Sequence, residues 1–140
     1  MKLLLDTNIC IYIIKRKPPK VLQRFNKYHV GDIGISSITV AELQFGVQKS
    51  KFPEKNQQAL AQFLLPLTIV DFDLAAATIY GKIRAVLEKQ GTPIGSLDTL
   101  IAAHALSLQV ALVTNNEKEF KRVPNLKLEN WGSSDLAMLN

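Results

Sequence analysis

The sequence predicts an α/β sandwich built around a mainly parallel sheet. Three observations carry that reading. Short apolar runs of strand length recur along the chain, each leads into a segment with helical signals, and caps or breakers stand between them. An intervening helix returns the chain to the same end of the sheet, so repetition of the unit favours parallel pairing.

Residues 2–5 read as a short buried strand ending at Asp6. Residues 7–14, TNICIYII, continue the apolar run and carry β-branched side chains. Asp6, Thr7 and Asn8 nevertheless offer N-caps, and Lys15, Arg16 and Lys17 suit a helix C-terminus before Pro18 and Pro19, so this segment is read as helix. A second helix over residues 19–26 places Val21, Leu22 and Phe25 at helical spacing. Residues 32–36, DIGIS, alternate like a strand, and Ser37 or Thr39 then opens a helix to about residue 47. Pro53 and Glu54 lead into a helix over 53–65, followed by a strand over 67–70. Asp73 caps a long helix to residue 90, which Gly91, Thr92 and Pro93 break. A helix with a small-residue face over 96–108 and strands over 110–114 and 126–128 complete the series. No internal repeat or low-complexity tract interrupts it, and residues 1–140 are expected to form one domain.

At 140 residues, with 47% hydrophobic and 21% charged side chains, the chain can bury a core unaided, which excludes disorder as its main state. The single Cys10 excludes an intramolecular disulfide and a cysteine-ligated zinc site, as expected for a reducing compartment. Asp6 follows only three leucines, too soon for a secretory apolar region, and the longest stretch without Asp, Glu, Lys or Arg, residues 99–116, is too polar and short for a membrane span. A soluble cytoplasmic protein without membrane contact is therefore expected. The net charge of +5 and pI near 9.4 favour polyanionic partners. Residues 7–31 contain no acid but carry Lys15, Arg16, Lys17, Lys20, Arg24 and Lys27. A solvated lysine-rich face is the competing explanation.

Most acids sit where acids usually sit. Glu54, Glu88, Glu117, Glu119, Glu129 and Asp135 have polar neighbours, and Asp32, Asp71 and Asp73 lie at strand or helix ends. Asp6, Glu42 and Asp98 instead stand in apolar surroundings, and neither Glu42 nor Asp98 has a Lys or Arg three or four positions away to pair with on a helix. Each has an ordinary structural reading: Asp6 as a helix cap, Thr39 and Glu42 as a capping box, Asp98 as a first-turn acid. Their joint placement argues for more. Ligands of parallel sheets bind outside the carboxyl ends of the strands, where helix N-termini also point, and the three acids fall at such positions. Converging carboxylates suit a hard cation, Mg²⁺ or Mn²⁺, which can activate water and stabilise charge on a phosphoryl oxygen.

Four motifs in order carry a family resemblance. They are Leu5-Asp6-Thr7-Asn8; Ile38-Thr39-Val40-Ala41-Glu42-Leu43 with Gly46; Pro93-Ile94-Gly95 with Asp98 and the run to Ala105; and Val113-Thr114-Asn115-Asn116-Glu117 with Glu119 and Phe120. Together they look like a PIN-domain ribonuclease, and more specifically the chain resembles the VapC toxins of bacterial toxin–antitoxin pairs, from about Leu3 to Trp131. The resemblance implies a PIN-like three-layer α/β/α sandwich, a Mg²⁺ or Mn²⁺ site, and endonucleolytic cleavage of RNA that inhibits translation. By position, Asp6, Glu42 and Asp98 match the family's metal-binding, catalytic acids; Asn8 matches the support of the first aspartate; Thr114 and Asn116 match the rim. Many PIN domains have aspartate where this chain has Asn116, a poorer ligand for a hard cation, and Glu119 is the alternative fourth carboxylate if its segment forms a helical turn.

The resemblance further implies a VapB-type antitoxin whose tail covers the site, toxin homodimers and larger complexes, and operator DNA reached only through the antitoxin. Likeness to the enteric-type subgroup suggests cleavage in the anticodon loop of initiator tRNA. The expected reaction is in-line attack of water on phosphorus with departure of the 3′ oxygen, leaving a 3′-hydroxyl and a 5′-phosphate. Lys15, Arg16, Lys17, Lys20, Arg24 and Lys27 are the candidates for tracking the RNA backbone. A catalytically silent nucleic-acid-binding or scaffold module is the alternative, whereas a phosphoacceptor receiver would want an adjacent acid pair that Asp6-Thr7-Asn8 lacks. His104 lies six residues beyond Asp98, about 600° around a helix and so on another face, and is expected to be packed or at a subunit contact. His29 is expected in a surface loop; Cys10, Phe120 and Trp131 are expected in the core.

Overall fold

Three consecutive leucines form the central strand, β1 (Leu3–Leu5), and all three are buried. A strand covered on both faces reads as an unbroken apolar run, and the alternation of side chains sends Leu4 to one side of the sheet and Leu3 and Leu5 to the other. The computed structural model describes residues 1–132; Asp135, grouped above with the acids in polar surroundings, lies outside them.

The chain continues through α1 (Thr7–Lys15), α2 (Pro19–Phe25), β2 (Ile33–Ser36), α3 (Ser37–Gln48), α4 (Pro53–Leu64) and β3 (Thr68–Val70). The second half holds α5 (Leu74–Lys89), α6 (Ser96–Leu108), β4 (Ala111–Val113), α7 (Glu117–Phe120) and β5 (Leu128–Glu129). The strand order is β3-β2-β1-β4-β5 and every neighbouring pair is parallel. One core cluster joins Leu3 and Leu5 to Ile9, Ile13, Val21, Leu43 and Leu60 of α1 to α4. The other joins Leu4 and Leu112 to Ile83, Leu87, Ile101 and Phe120 of α5, α6 and α7. The three-layer sandwich follows from these two clusters, one on each face of the sheet.

From β1 the strands run outward one way through β2 to β3, and the other way from β4 to β5. The order therefore reverses between β1 and β4, and the carboxyl ends of those two strands flank a crevice.

Local chemistry sets most element ends. Asp6 caps α1 by accepting from the backbone N–H of Asn8 at 2.7 Å, and Asp73 caps α5 through Ala76 at 3.0 Å. The Thr39–Glu42 capping box is not formed. Helix α3 starts at Ser37, and the Ser36 hydroxyl takes the Ile38 N–H at 3.0 Å, so Thr39 is already inside the helix and buried. The last strand begins two residues later than expected, because Asn125 turns the chain with a positive φ of 66° and the register pairs Leu112 with Leu128 and Val113 with Glu129. Residues 117–120 form a helical turn, the condition attached to Glu119 above. Phe120, Trp131 and Cys10 are fully buried and His29 is exposed. His104 is also fully buried, with its ring edge-on to Phe72 at 5.3 Å, which makes it a packed residue. Among the described residues no helix is long and apolar enough to cross a membrane.

Leu112 is fully buried beside the central strand. Truncation to alanine is expected to cost about 2–5 kcal/mol, read as a lower midpoint in urea denaturation with the same slope.

Candidate active site

The crevice between β1 and β4 is closed by one side-chain hydrogen bond. The Thr114 hydroxyl, just beyond β4, donates to Asp6 Oδ2, just beyond β1, at 2.5 Å. Asp6 Oδ1 meanwhile accepts the Asn8 and Ile9 N–H groups at 2.7 and 3.3 Å, so the support contributed by Asn8 comes from its backbone. Burial raises the Asp6 carboxyl above its ordinary range, while Thr114, Ile9 and Asn8 pull it back down. Thr114 Oγ1 in turn accepts the Asn116 N–H at 2.9 Å, which sets the start of α7.

The other acids arrive on three different elements. Glu42 comes from the second turn of α3 and accepts from the Thr7 hydroxyl at 2.8 Å, which orients it toward the start of α1. Asp98 lies in the first turn of α6. Glu119, on α7, accepts the Gly95 N–H at 2.9 Å with Oε1 and the Asn116 side-chain amide at 2.8 Å with Oε2. Those donors hold Glu119 below the usual carboxylate range, the Gly95 N–H most of all.

Asp98 reports on the whole group. Half-burial and then the charges of Glu119, Asp6 and Glu42 push its carboxyl up to about 7. Four acids from four parts of the chain thus share one electrostatic neighbourhood. Among the described residues the ion pairs join Lys2 to Asp32, Arg24 to Glu129 and Arg84 to Glu88, and none reaches these four. Cys10, buried behind Asp6, is pushed well above its ordinary value by burial and by the Asp6 charge, so it stays a neutral thiol.

The donor set is oxygen throughout, and its excess negative charge is what a hard divalent cation would neutralise. Among the described residues no three His, Cys, Asp or Glu side chains converge closely enough to cage an ion in this conformation. Like charges repel, Asp6 and Glu42 lean on their own donors and Asp98 shares a hydrogen bond with Glu119, so a cation would have to draw Asp6, Glu42 and Asp98 inward. The donor chemistry fits such an ion, though the described side chains do not enclose one in this conformation.

The structure therefore brings together Asp6, Glu42, Asp98, Glu119, Thr114 and Asn116, with Asn8 at the start of α1. Of the basic run, Lys15 lines one groove with Glu42, between α1, α3 and α4, while the rest lies farther along the chain. Helix α1 leads away from Asp6, and nine residues of helix span about 13 Å before the chain reaches Arg16 and Lys17. Lys15, Arg16, Lys17 and Lys27 are exposed and Lys20 is half-buried. Arg24 is engaged elsewhere: it pairs with Glu129 at 2.9 Å and sits over the Trp131 ring at 5.9 Å. Glu129 Oε1 also accepts from Tyr28 at 3.3 Å and from the Trp131 indole N–H at 2.9 Å, so this cluster ties α2 to the end of β5. Sequence reasoning missed Thr7 as the partner of Glu42 and Gly95 as the partner of Glu119. Thr7 was legible as the middle of Asp6-Thr7-Asn8, but the Gly95 contact spans 24 positions and left no local signal.

A crevice of this kind, with acids from β1, α3 and α6 meeting at the strand reversal, defines an acid-lined α/β nuclease-type site. The chain belongs to the PIN-domain family, whose pattern it matches over residues 3–126, and within it to the VapC group. It is 50% identical over 131 residues to Ribonuclease VapC2 of Haemophilus influenzae, covering 94% of this chain and 98% of that protein. Over the same shares of both chains it is 47% identical to the tRNA(fMet)-specific endonuclease VapC of Shigella flexneri. Among solved structures it resembles the VapBC2 complex of Rickettsia felis bound to a DNA fragment from its promoter, with TM-score 0.87 and 48% identity over 94% of this chain and 100% of that one.

Asp98 makes stability depend on pH in a defined direction. Its folded value near 7 lies above the ordinary 3.8, so the fold favours the protonated form; that contribution is complete below the ordinary value and is lost as pH rises through about 7. The Tm of metal-free protein is expected to fall from pH 5 to pH 8, and Asp98→Asn should flatten that fall and raise the Tm at pH 8. Parallel profiles for the two proteins would contradict the assignment.

Proposed function

We propose that the chain is a divalent-metal-dependent endoribonuclease, the toxin of a VapBC-type toxin–antitoxin pair acting in the cytoplasm. The observation that carries this reading is the gathering of Asp6, Glu42, Asp98 and Glu119 at the β1/β4 reversal, where no ion pair among the described residues reaches them and half-burial, with the neighbouring charges, pushes Asp98 up to about 7. The family membership supports the same reading, and the name of the Shigella flexneri relative makes initiator tRNA the first substrate to test.

Asp6, Glu42 and Asp98 would hold Mg²⁺ or Mn²⁺, with Glu119 and Asn116 on the rim. When bound, such an ion supplies Lewis-acid stabilisation of phosphoryl charge and an acidified water. The chain's own part is positioning. Thr114 and the Asn8 and Ile9 N–H groups fix the Asp6 carboxylate, and Thr7 fixes Glu42. Asp98 near 7 can hold a proton or release it close to neutral pH, as the approach of a cation or substrate requires. Water would attack phosphorus in line, forming a new P–O bond as the P–O3′ bond breaks; the water's proton ends on the departing 3′ oxygen, so the upstream fragment ends in a 3′-hydroxyl and the downstream fragment begins with a 5′-phosphate. The RNA's own 2′-hydroxyl takes no part, and preference for RNA then rests on shape and 2′-hydroxyl contacts. The relative seen in a VapBC complex on promoter DNA supports an antitoxin partner and, through it, operator DNA.

Purified protein is expected to cut total tRNA in Mg²⁺ or Mn²⁺, to stop in EDTA, and to be inactive as Asp6→Ala. End-mapping of the fragments would then identify the target. Intact RNA from folded, antitoxin-free protein with either metal would favour a silent binding module. The exposed basic run is expected to act on binding alone: Lys15→Gln and Lys17→Gln should each weaken RNA binding and reduce the slope of log affinity against log salt by about 1. Metal affinity should be unchanged in both.

A further inference from the structure

The loop that delivers Asp98 is held from outside its own helix. Helix α6 is preceded at its N-cap by Gly95, which has no side chain to cap it, and residues 91–93 and 95 are exposed. Three contacts fix this loop. Thr99 holds the Gly95 carbonyl through its hydroxyl at 2.8 Å, Glu119 takes the Gly95 N–H at 2.9 Å, and Arg122 Nη1 donates to the Pro93 carbonyl at 3.1 Å. The last two come from α7 and from the second residue beyond it, a segment anchored in the core by Phe120 and Val123. Gly95 also lies between the two acids: a Cβ built there would stand 3.6 Å from Asp98 Oδ2 and 3.8 Å from Glu119 Oε1. Where this loop sits therefore decides whether the two carboxylates face one another.

We propose that Arg122 is a positioning residue for the acid site, clamping Pro93 so that Gly95 meets Glu119 and α6 aims Asp98 at the other carboxylates. Its guanidinium is suited to the task, being always charged and able to hold a carbonyl while its field stabilises the ionised Glu119 nearby. Arg122 is exposed and joins none of the ion pairs among the described residues. Its substitution should accordingly disturb the site more than the fold. The inference rests on the metal-dependent reading above.

The test compares wild type, Arg122→Gln and Arg122→Lys. Mn²⁺ affinity is measured by electron paramagnetic resonance of the free ion, stability by urea denaturation in EDTA, and cleavage kinetics on tRNA. Arg122→Gln is expected to bind Mn²⁺ roughly tenfold more weakly and to lose kcat, with KM for RNA within about twofold of wild type and a nearly unchanged urea midpoint. Arg122→Lys, which keeps a charged donor, should recover most of the Mn²⁺ affinity. Unchanged Mn²⁺ affinity in Arg122→Gln, or a raised KM with unchanged Mn²⁺ affinity, overturns the proposal, the second result making Arg122 an RNA contact. A lysine variant as weak as the glutamine variant also overturns it. Wild-type protein that binds no Mn²⁺ overturns the metal-dependent reading itself, and this proposal with it.

Discussion

The hydrogen bond from Thr114 to Asp6 joins the ends of the two strands between which the sheet reverses direction. Strand order alone opens a crevice there, but it does not say what lines it. Asp6 is the first residue after the central strand and Thr114 the first after its neighbour, so the parallel register of β1 and β4 carries both to the same level. The carboxylate is consequently buried, and it is tolerable there because Thr114 and two backbone N–H groups satisfy it. Everything else in the site is arranged around that fixed charge.

Around it Glu42 and Glu119 are held by donors of their own, and Asp98 faces Glu119. Glu42 leans on Thr7 of the helix that Asp6 caps, and Glu119 leans on Gly95 and Asn116, while Asp98, half-buried and beside the other charges, favours its protonated form. The arrangement is locally rigid and globally repulsive. Hydrogen bonds fix the direction of Asp6, Glu42 and Glu119, and no ion pair among the described residues relieves the charge they share with Asp98. A site poised in this way has a stated use for a divalent cation.

The legible parts of the sequence were those governed by local rules. Asp73 and its helix, the break at Gly91 and Pro93, and the start of the helix at Ser96 each depend on caps or breakers within a few residues, and they fall where expected. The three acids were legible because charged groups in apolar runs are costly wherever the chain goes. The capping-box reading of Thr39 and Glu42 shows the limit of local pattern: Ser36 offers an equally good hydroxyl three residues earlier, and the sheet decides where the helix starts. Arg24 shows another. As one cation in a basic run it reads like its neighbours, yet it closes on Glu129, 105 positions away, because α2 packs beside the end of β5.

Taken by itself, the sequence determined the alternation of strands and helices and the apolar core, and it singled out Asp6, Glu42 and Asp98 as acids in apolar surroundings. It did so because hydrophobic periodicity, capping and the cost of burying charge are properties of short segments. Only the tertiary structure decided which donor each acid received and which cations stayed free. Thr7 to Glu42, Gly95 to Glu119 and Thr114 to Asp6 span 35, 24 and 108 positions. Such pairings are set by strand order and register, which bring distant backbone ends together and which no local window of residues contains.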